Sequence, residues 1–78
     1  MDLKKTLTDI ATAIVDHPED VVVTVTGETE NSVTLRLSVS APDMGKVIGK
    51  HGKIAKAIRQ LMKSAAAGSG KKVTVDIE

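Results

Sequence analysis

The 78 residues include no tryptophan, tyrosine or phenylalanine, and no cysteine. Without cysteine there can be no disulfide framework, thiolate zinc site, iron–sulfur cluster or cysteine nucleophile. A secreted domain this small usually needs such staples, so a reducing cytoplasm is the expected compartment. Without aromatics, the 41% hydrophobic fraction consists of Val, Ile, Leu, Ala and Met alone, and these must build the core. No apolar run approaches the roughly 20 residues of a membrane span. The N-terminal Met-Asp-Leu-Lys-Lys lacks the apolar stretch of a signal peptide and any lipidation motif, so no membrane association is expected. Charged residues at 27% point to a folded chain and away from a disordered one. The length suits a single domain over residues 1–78. Such a domain buries only about 60% of its unfolded surface, so its stability is modest.

The net charge of +1 conceals a division. Of eleven lysines and arginines, eight fall between Lys46 and Lys72, where there is no Asp or Glu. All ten acidic residues lie outside that stretch. Such a split can focus an anionic ligand onto one face, although the same lysines would also serve to solvate a helix.

Leu3, Leu7, Ile10, Ile14 and Val15 recur at helical spacing after Asp2, a suitable N-cap, and Pro18 ends that helix. Val21, Val23 and Val25 alternate with Thr24 and Thr26, which predicts a strand with one buried face. Gly27 to Asn31 reads as a hairpin loop. A second strand follows in Val33, Leu35, Leu37 and Val39, alternating with Thr34, Arg36, Ser38 and Ser40. Pro42 and Asp43 start a short helical turn to about Ile48, and Gly49 to Gly52 interrupts it. A long helix is expected from about Lys53 to Ala66, burying Ile54, Ile58, Leu61, Met62 and Ala65. After the Gly68-Ser69-Gly70 turn, Val73, Val75 and Ile77 form a last strand.

Connection lengths give the topology. The hairpin makes the first two strands antiparallel. The helical crossover of about 30 residues makes the second and third parallel, with the second strand central. The expected fold class is α+β: order α-β-β-α-α-β, a three-stranded mixed sheet, and helices packed on one face with the Thr/Ser face in solvent.

One segment suggests chemistry. In Val47-Ile48-Gly49-Lys50-His51-Gly52-Lys53, two glycines three apart sit between two helices. Glycine permits a sharp turn and lets a ligand's backbone approach closely. The loop opens a helix, whose free N–H groups and positive dipole end favour phosphate. Lys50 and Lys53 add full charges and His51 adds a donor. A bend that only joins two helices needs none of these cations.

Gly49-Lys50-His51-Gly52, within the run from Val47 to Arg59, resembles the signature loop of KH domains. The element order matches the type II arrangement. The Pro42–Lys50 run and Ile54-Ala55-Lys56-Ala57-Ile58-Arg59 are similar to the bacterial KhpA-like (YlqC-like) family of single KH-domain proteins. Ala55 stands where the general KH pattern has Ile, and KhpA-like sequences commonly carry Ala there. KH domains hold about four single-stranded nucleotides with this loop clamping their backbone. The resemblance therefore implies that Gly49 and Gly52 admit the RNA backbone, that Lys50, His51 and Lys53 contact phosphates, and that Lys46 and Lys56 approach from either side. Ile48, Ile54, Arg36 and Val39 are the candidates to line a base groove between the helical pair and the second strand. Arg59 and Lys63 are expected to be solvated surface. No aromatic platform exists for stacking, so the lone domain should bind weakly, with little sequence preference and strong salt dependence.

The resemblance also implies an RNA chaperone or post-transcriptional regulator, a homodimer, a larger KH-domain partner of the KhpB-like (Jag-like) kind, and a link to cell shape and peptidoglycan homeostasis. The alternative is a protein–protein interaction module with little RNA binding of its own. No enzyme is expected: there is no nucleotide-binding fingerprint and no nucleophile set, and the two histidines, His17 and His51, lie on different elements without a cysteine companion. No metal or cofactor is expected.

Overall fold

The computed structural model describes residues 2–78. Its elements are α1 (Leu3–Ile14), β1 (Val22–Glu28), β2 (Ser32–Ser38), α2 (Met44–Ile48), α3 (Lys53–Ala66) and β3 (Lys72–Ile77), with single 3-10 turns between several of them. The order and fold class are those the alternation predicts. Asp2 caps α1 by accepting the Lys5 N–H at 3.1 Å. The sheet order is β1-β2-β3, with β1 antiparallel and β3 parallel to the central β2. Register places Val23 beside Leu37, and Leu35 beside Val75.

Side chains of period 2 on the sheet meet those of period 3.6 on the helices. Leu7 and Ala11 of α1, Val47 of α2 and Ile58 and Met62 of α3 close over Val23, Val33, Leu35, Leu37 and Val75. Aliphatics alone fill this interior, as the absence of aromatics requires.

Three expectations change. First, β1 runs on through Glu28 and the hairpin loop is Thr29–Asn31, where the Thr29 hydroxyl accepts the Asn31 and Ser32 N–H groups. Alternation predicts Val25 in the core, but it is 42% exposed. It sits on an edge strand where the register slips before Gly27. Second, the buried stripe of α3 is Ala55, Ile58, Met62 and Ala66. Ile54 and Leu61 face outward, at 38% and 54% exposure. The alanines at both ends of the stripe let α3 lie close to its neighbours, and the larger residues turn away. Third, α1 stops at Ile14, four residues before Pro18. Asp16 and His17 turn toward α2 instead of extending the helix.

Candidate nucleic-acid interface

Gly49 ends α2 at φ 75°, ψ 175°. Its N–H still closes the short helix on the Gly45 carbonyl at 2.9 Å. His51 and Gly52 follow in the left-handed region, at φ 58° and 73°. His51 is the only non-glycine with positive φ among the described residues. The Gly52 N–H donates to the Gly49 carbonyl at 3.2 Å, and the Lys53 N–H to the Lys50 carbonyl. A helical Lys50 followed by a left-handed His51 is a backbone pairing of the kind that can form an anion-binding concavity, and with the Gly52 N–H bound to Gly49 the donors left to it are those of Lys50 and His51. That concavity opens at the start of a 14-residue helix, whose dipole adds to it.

Lys50, His51, Lys53 and Lys56 are all exposed. None of the ion pairs among the described residues engages them. Ile48 and Ile54 flank the loop, each 38% exposed. The structure thus gathers eight of the eleven candidates: the four loop residues, Lys53, Lys56, Ile48 and Ile54. The other three stand differently. Lys46 ion-pairs with Asp16 at 3.2 Å, toward the end of α1. Val39 lies just past β2 and packs half-buried against the core. Arg36 alternates with buried Leu35 and Leu37, so it points from the opposite face of the sheet, and it pairs with Glu78.

β2 is the central strand, and its inward side chains Val33, Leu35 and Leu37 are buried in the core. Open clefts lie along β3. One, of about 590 Å³, is lined by Lys63, Gly70, Lys71, Lys72, Thr74 and Asn31 of the hairpin tip, among others. A smaller one of about 210 Å³ lies between Arg59, Gln60 and Lys63 of α3 and Thr74 of β3. Lys53, Lys56, Gln60, Lys63 and Ala67 recur at i, i+3, i+7, i+10 and i+14, which puts them on one helical face. A track of cations therefore runs from the glycine loop down α3 to the turn before β3. The sequence pattern discounts Arg59 and Lys63 as solvated surface. The structure has Arg59 Nε donating to the Val75 carbonyl at 3.1 Å and Lys63 in both clefts. The clue available in the sequence was the absence of acids as far as Lys72, well past the loop.

Asp43 is the one fully buried charged residue among those described. Its carboxylate accepts the N–H groups of Asp16 (3.2 Å) and His17 (2.9 Å), the Ser40 hydroxyl (3.0 Å) and His17 Nδ1 (3.0 Å). Burial pushes its pKa up, but these four donors outweigh it and hold the value at about 2. The same hydrogen bond, then the Asp43 charge, raises His17 above its ordinary 6.5. Asp43 thus stabilises the fold in full above 3.8, and this is lost as pH falls through about 2. His17 stabilises it in full below 6.5, and this is lost as pH rises through its raised value. The pair is strongest between those limits. Urea unfolding should show greater stability at about pH 5 than at about pH 8, a difference that His17→Gln removes. Equal stability of the native chain at both values would show that the pair contributes nothing.

Residues 4–77 match the family model described as KhpA/KhpB, KH domain. Curated relatives bearing the name RNA-binding protein KhpA include one from Clostridium perfringens, 54% identical over 76 residues, covering 96% of this chain and 99% of the relative. One from Listeria monocytogenes is 48% identical over 75 residues, covering 96% and 97%. One from Bacillus subtilis is 47% identical over 75 residues, covering 96% and 91%. Among solved structures, a crystal structure of Aquifex aeolicus Era matches with a TM-score of 0.70 at 15% identity, over 96% of this chain and 29% of that one. That likeness is one of fold.

Proposed function

This chain belongs to the KhpA/KhpB KH-domain family, and we propose that it binds single-stranded RNA by clamping the backbone at Gly49–Gly52. The observation that carries this is the concave turn at the head of α3 with Lys50, His51 and Lys53 exposed and unengaged around it. Lys56 and the clefts beside Lys63 and Lys72 extend the path along β3. Hydrogen bonds from Asn31, Gln60 and Thr74, with Ile48 and Ile54 at the mouth, take the place of aromatic stacking. Binding is then mainly to phosphates. Fluorescence anisotropy with a labelled pool of short single-stranded RNAs tests this. With three to four phosphate contacts on a single strand, the log–log salt slope should be about −2 to −3, a loss of about 20- to 50-fold between about 50 mM and about 200 mM salt. Absence of binding by the lone chain at the lower salt would favour the alternative, an interaction module whose partner is a protein.

A weak single site gains from a second one held nearby. We infer a homodimer for this reason, and a specific observation favours it. Ala57 and Leu61, four apart, leave an apolar face on α3, and Leu61 is over half exposed. A KhpB-like partner could use the same gain. A role as an RNA chaperone acting on cell shape and peptidoglycan homeostasis is the wider reading the family resemblance brings. Light scattering should give a dimer mass for the native chain at about 10 µM and a monomer mass for Leu61→Asp, since a buried unpaired charge is strongly disfavoured at such an interface. A native chain that stays monomeric sinks the dimer.

A further inference from the structure

We propose that Asp43 and His17 are positioning residues for the glycine loop: together they fasten the start of α2 to the end of α1 and so fix where Gly49–Gly52 stands.

With five residues, α2 is too short to hold a helical shape or a position by its own hydrogen bonds. It is held by its ends and by Val47, which is fully buried. At the far end, Gly49 fits tightly against Ile54, the second residue of α3. At the near end stands Asp43, with its two oxygens taking four donors from three residues in two segments, Asp16–His17 after α1 and Ser40 after β2. Two of these donors are the N–H groups that follow α1, left without helical partners when that helix stops at Ile14. The carboxylate makes no capping bond to α2 itself; it ties the residue at the head of α2 to the segment that follows α1. Lys46, one turn into α2, adds a second tie through Asp16. Displacing Asp43 removes one of the few ties on a five-residue segment whose other end is the loop.

Charged and polar groups face His17 from each neighbouring segment. Asp43 meets it from the turn before α2, and Ser40 Oγ lies 3.3 Å from its Nδ1. Asp16 and Glu19 flank it on its own segment, and Lys46 reaches Asp16 from α2. The side chain of His17 is 44% exposed and that of Asp43 1%, so solvent reaches the pair through the imidazole. Protonation of His17 tightens the tie, and its loss loosens it.

The consequence for RNA affinity rests on the loop being the RNA clamp. The consequence for loop position does not, and the test separates them. The parent is a His51→Asn chain, so that no titrating histidine lies in the loop itself. In RNA-free protein, the Gly49 and Gly52 amide resonances are followed by ¹⁵N NMR from about pH 5 to about pH 8, a range that spans histidine titration. They should move along the titration curve of His17 in the parent and stay flat in the parent carrying His17→Gln. Asp43→Asn should shift both resonances at every pH. Relative to the parent, each variant should bind single-stranded RNA at least about fivefold more weakly at pH 5, the lower end of ordinary coupling between sites. Loop resonances that ignore His17 in the parent overturn the inference. So does an affinity unchanged in a variant whose resonances have moved. Should Asp43→Asn not fold, His17→Gln decides alone. If the parent binds no RNA, the clamp reading has failed, while the resonances still decide the positioning role.

Discussion

A chain carrying Lys50→Asp and His51→Asp loses RNA binding on the order of 100-fold at low salt, with its fold intact. The size follows from electrostatics. A unit charge about 6 Å from a phosphate is worth about 1.4 kcal/mol at an effective dielectric of about 40. The double substitution changes the loop by three units, and screening at about 0.1 M salt leaves about 2–3 kcal/mol of the effect. Both side chains are exposed and take no part in an ion pair among the described residues, so circular dichroism should be unaltered. The salt slope should also become shallower by about 0.7 for each phosphate that the loop no longer neutralises. Binding that survives the double variant at full strength would move the site to the Lys56–Lys63–Lys72 track and remove the loop from it. A parallel variant, Lys63→Asp, weighs the two ends of the track. It should weaken binding by less, because only one charge is reversed and no backbone concavity backs it.

The parts of this molecule that follow from local chemistry were legible in the sequence, and those that depend on three-dimensional neighbours were not. Alternation in Val33, Leu35 and Leu37 and the apolar repeats of α1 and α3 are local, and they returned the element order. The connection lengths then returned the sheet order, since a hairpin and a helical crossover each admit one usual pairing. Which apolar residues of α3 are buried is a different question. Ile54, Ile58 and Leu61 fit a stripe as well as Ala55, Ile58, Met62 and Ala66 do, and only the sheet and α1 decide between them. The loop was legible because glycine, lysine and position before a helix say something together. The clefts along β3 were not, because they arise where an edge strand meets a helix from elsewhere in the chain. His17 and Asp43 are 26 residues apart, and no spacing rule pairs them.

The two loop glycines look equivalent in the motif and are not equivalent in the structure. At Gly49, a Cβ would fall 2.9 Å from both Cβ and N of Ile54, and φ 75° with ψ 175° is a region essentially reserved for glycine. Gly49→Ala therefore combines backbone strain with a collision against main chain, which side-chain adjustment cannot relieve. Strain of about 1–3 kcal/mol and overpacking of similar size should lower the melting temperature by about 10–40 °C, given about 4–8 °C per kcal/mol in a domain this small. RNA binding should fall with it, since Ile54 and the loop must part. At Gly52 the backbone is ordinary left-handed, and an added Cβ meets nothing within 4 Å. Gly52→Ala should cost about 1–2 kcal/mol, and Gly52→Asn should cost less, because Asn tolerates that region. Yet the open space at Gly52 is where the RNA backbone would lie. Gly52→Ala should then weaken RNA binding well beyond what its small loss of stability accounts for. Melting curves and anisotropy on the same three variants separate the roles: Gly49 shapes the loop, and Gly52 leaves room for what the loop holds. If Gly49→Ala melts no lower than Gly52→Ala, the close approach of Ile54 does not constrain the loop. If Gly52→Ala binds RNA as the native chain does, the ligand does not pass over that glycine.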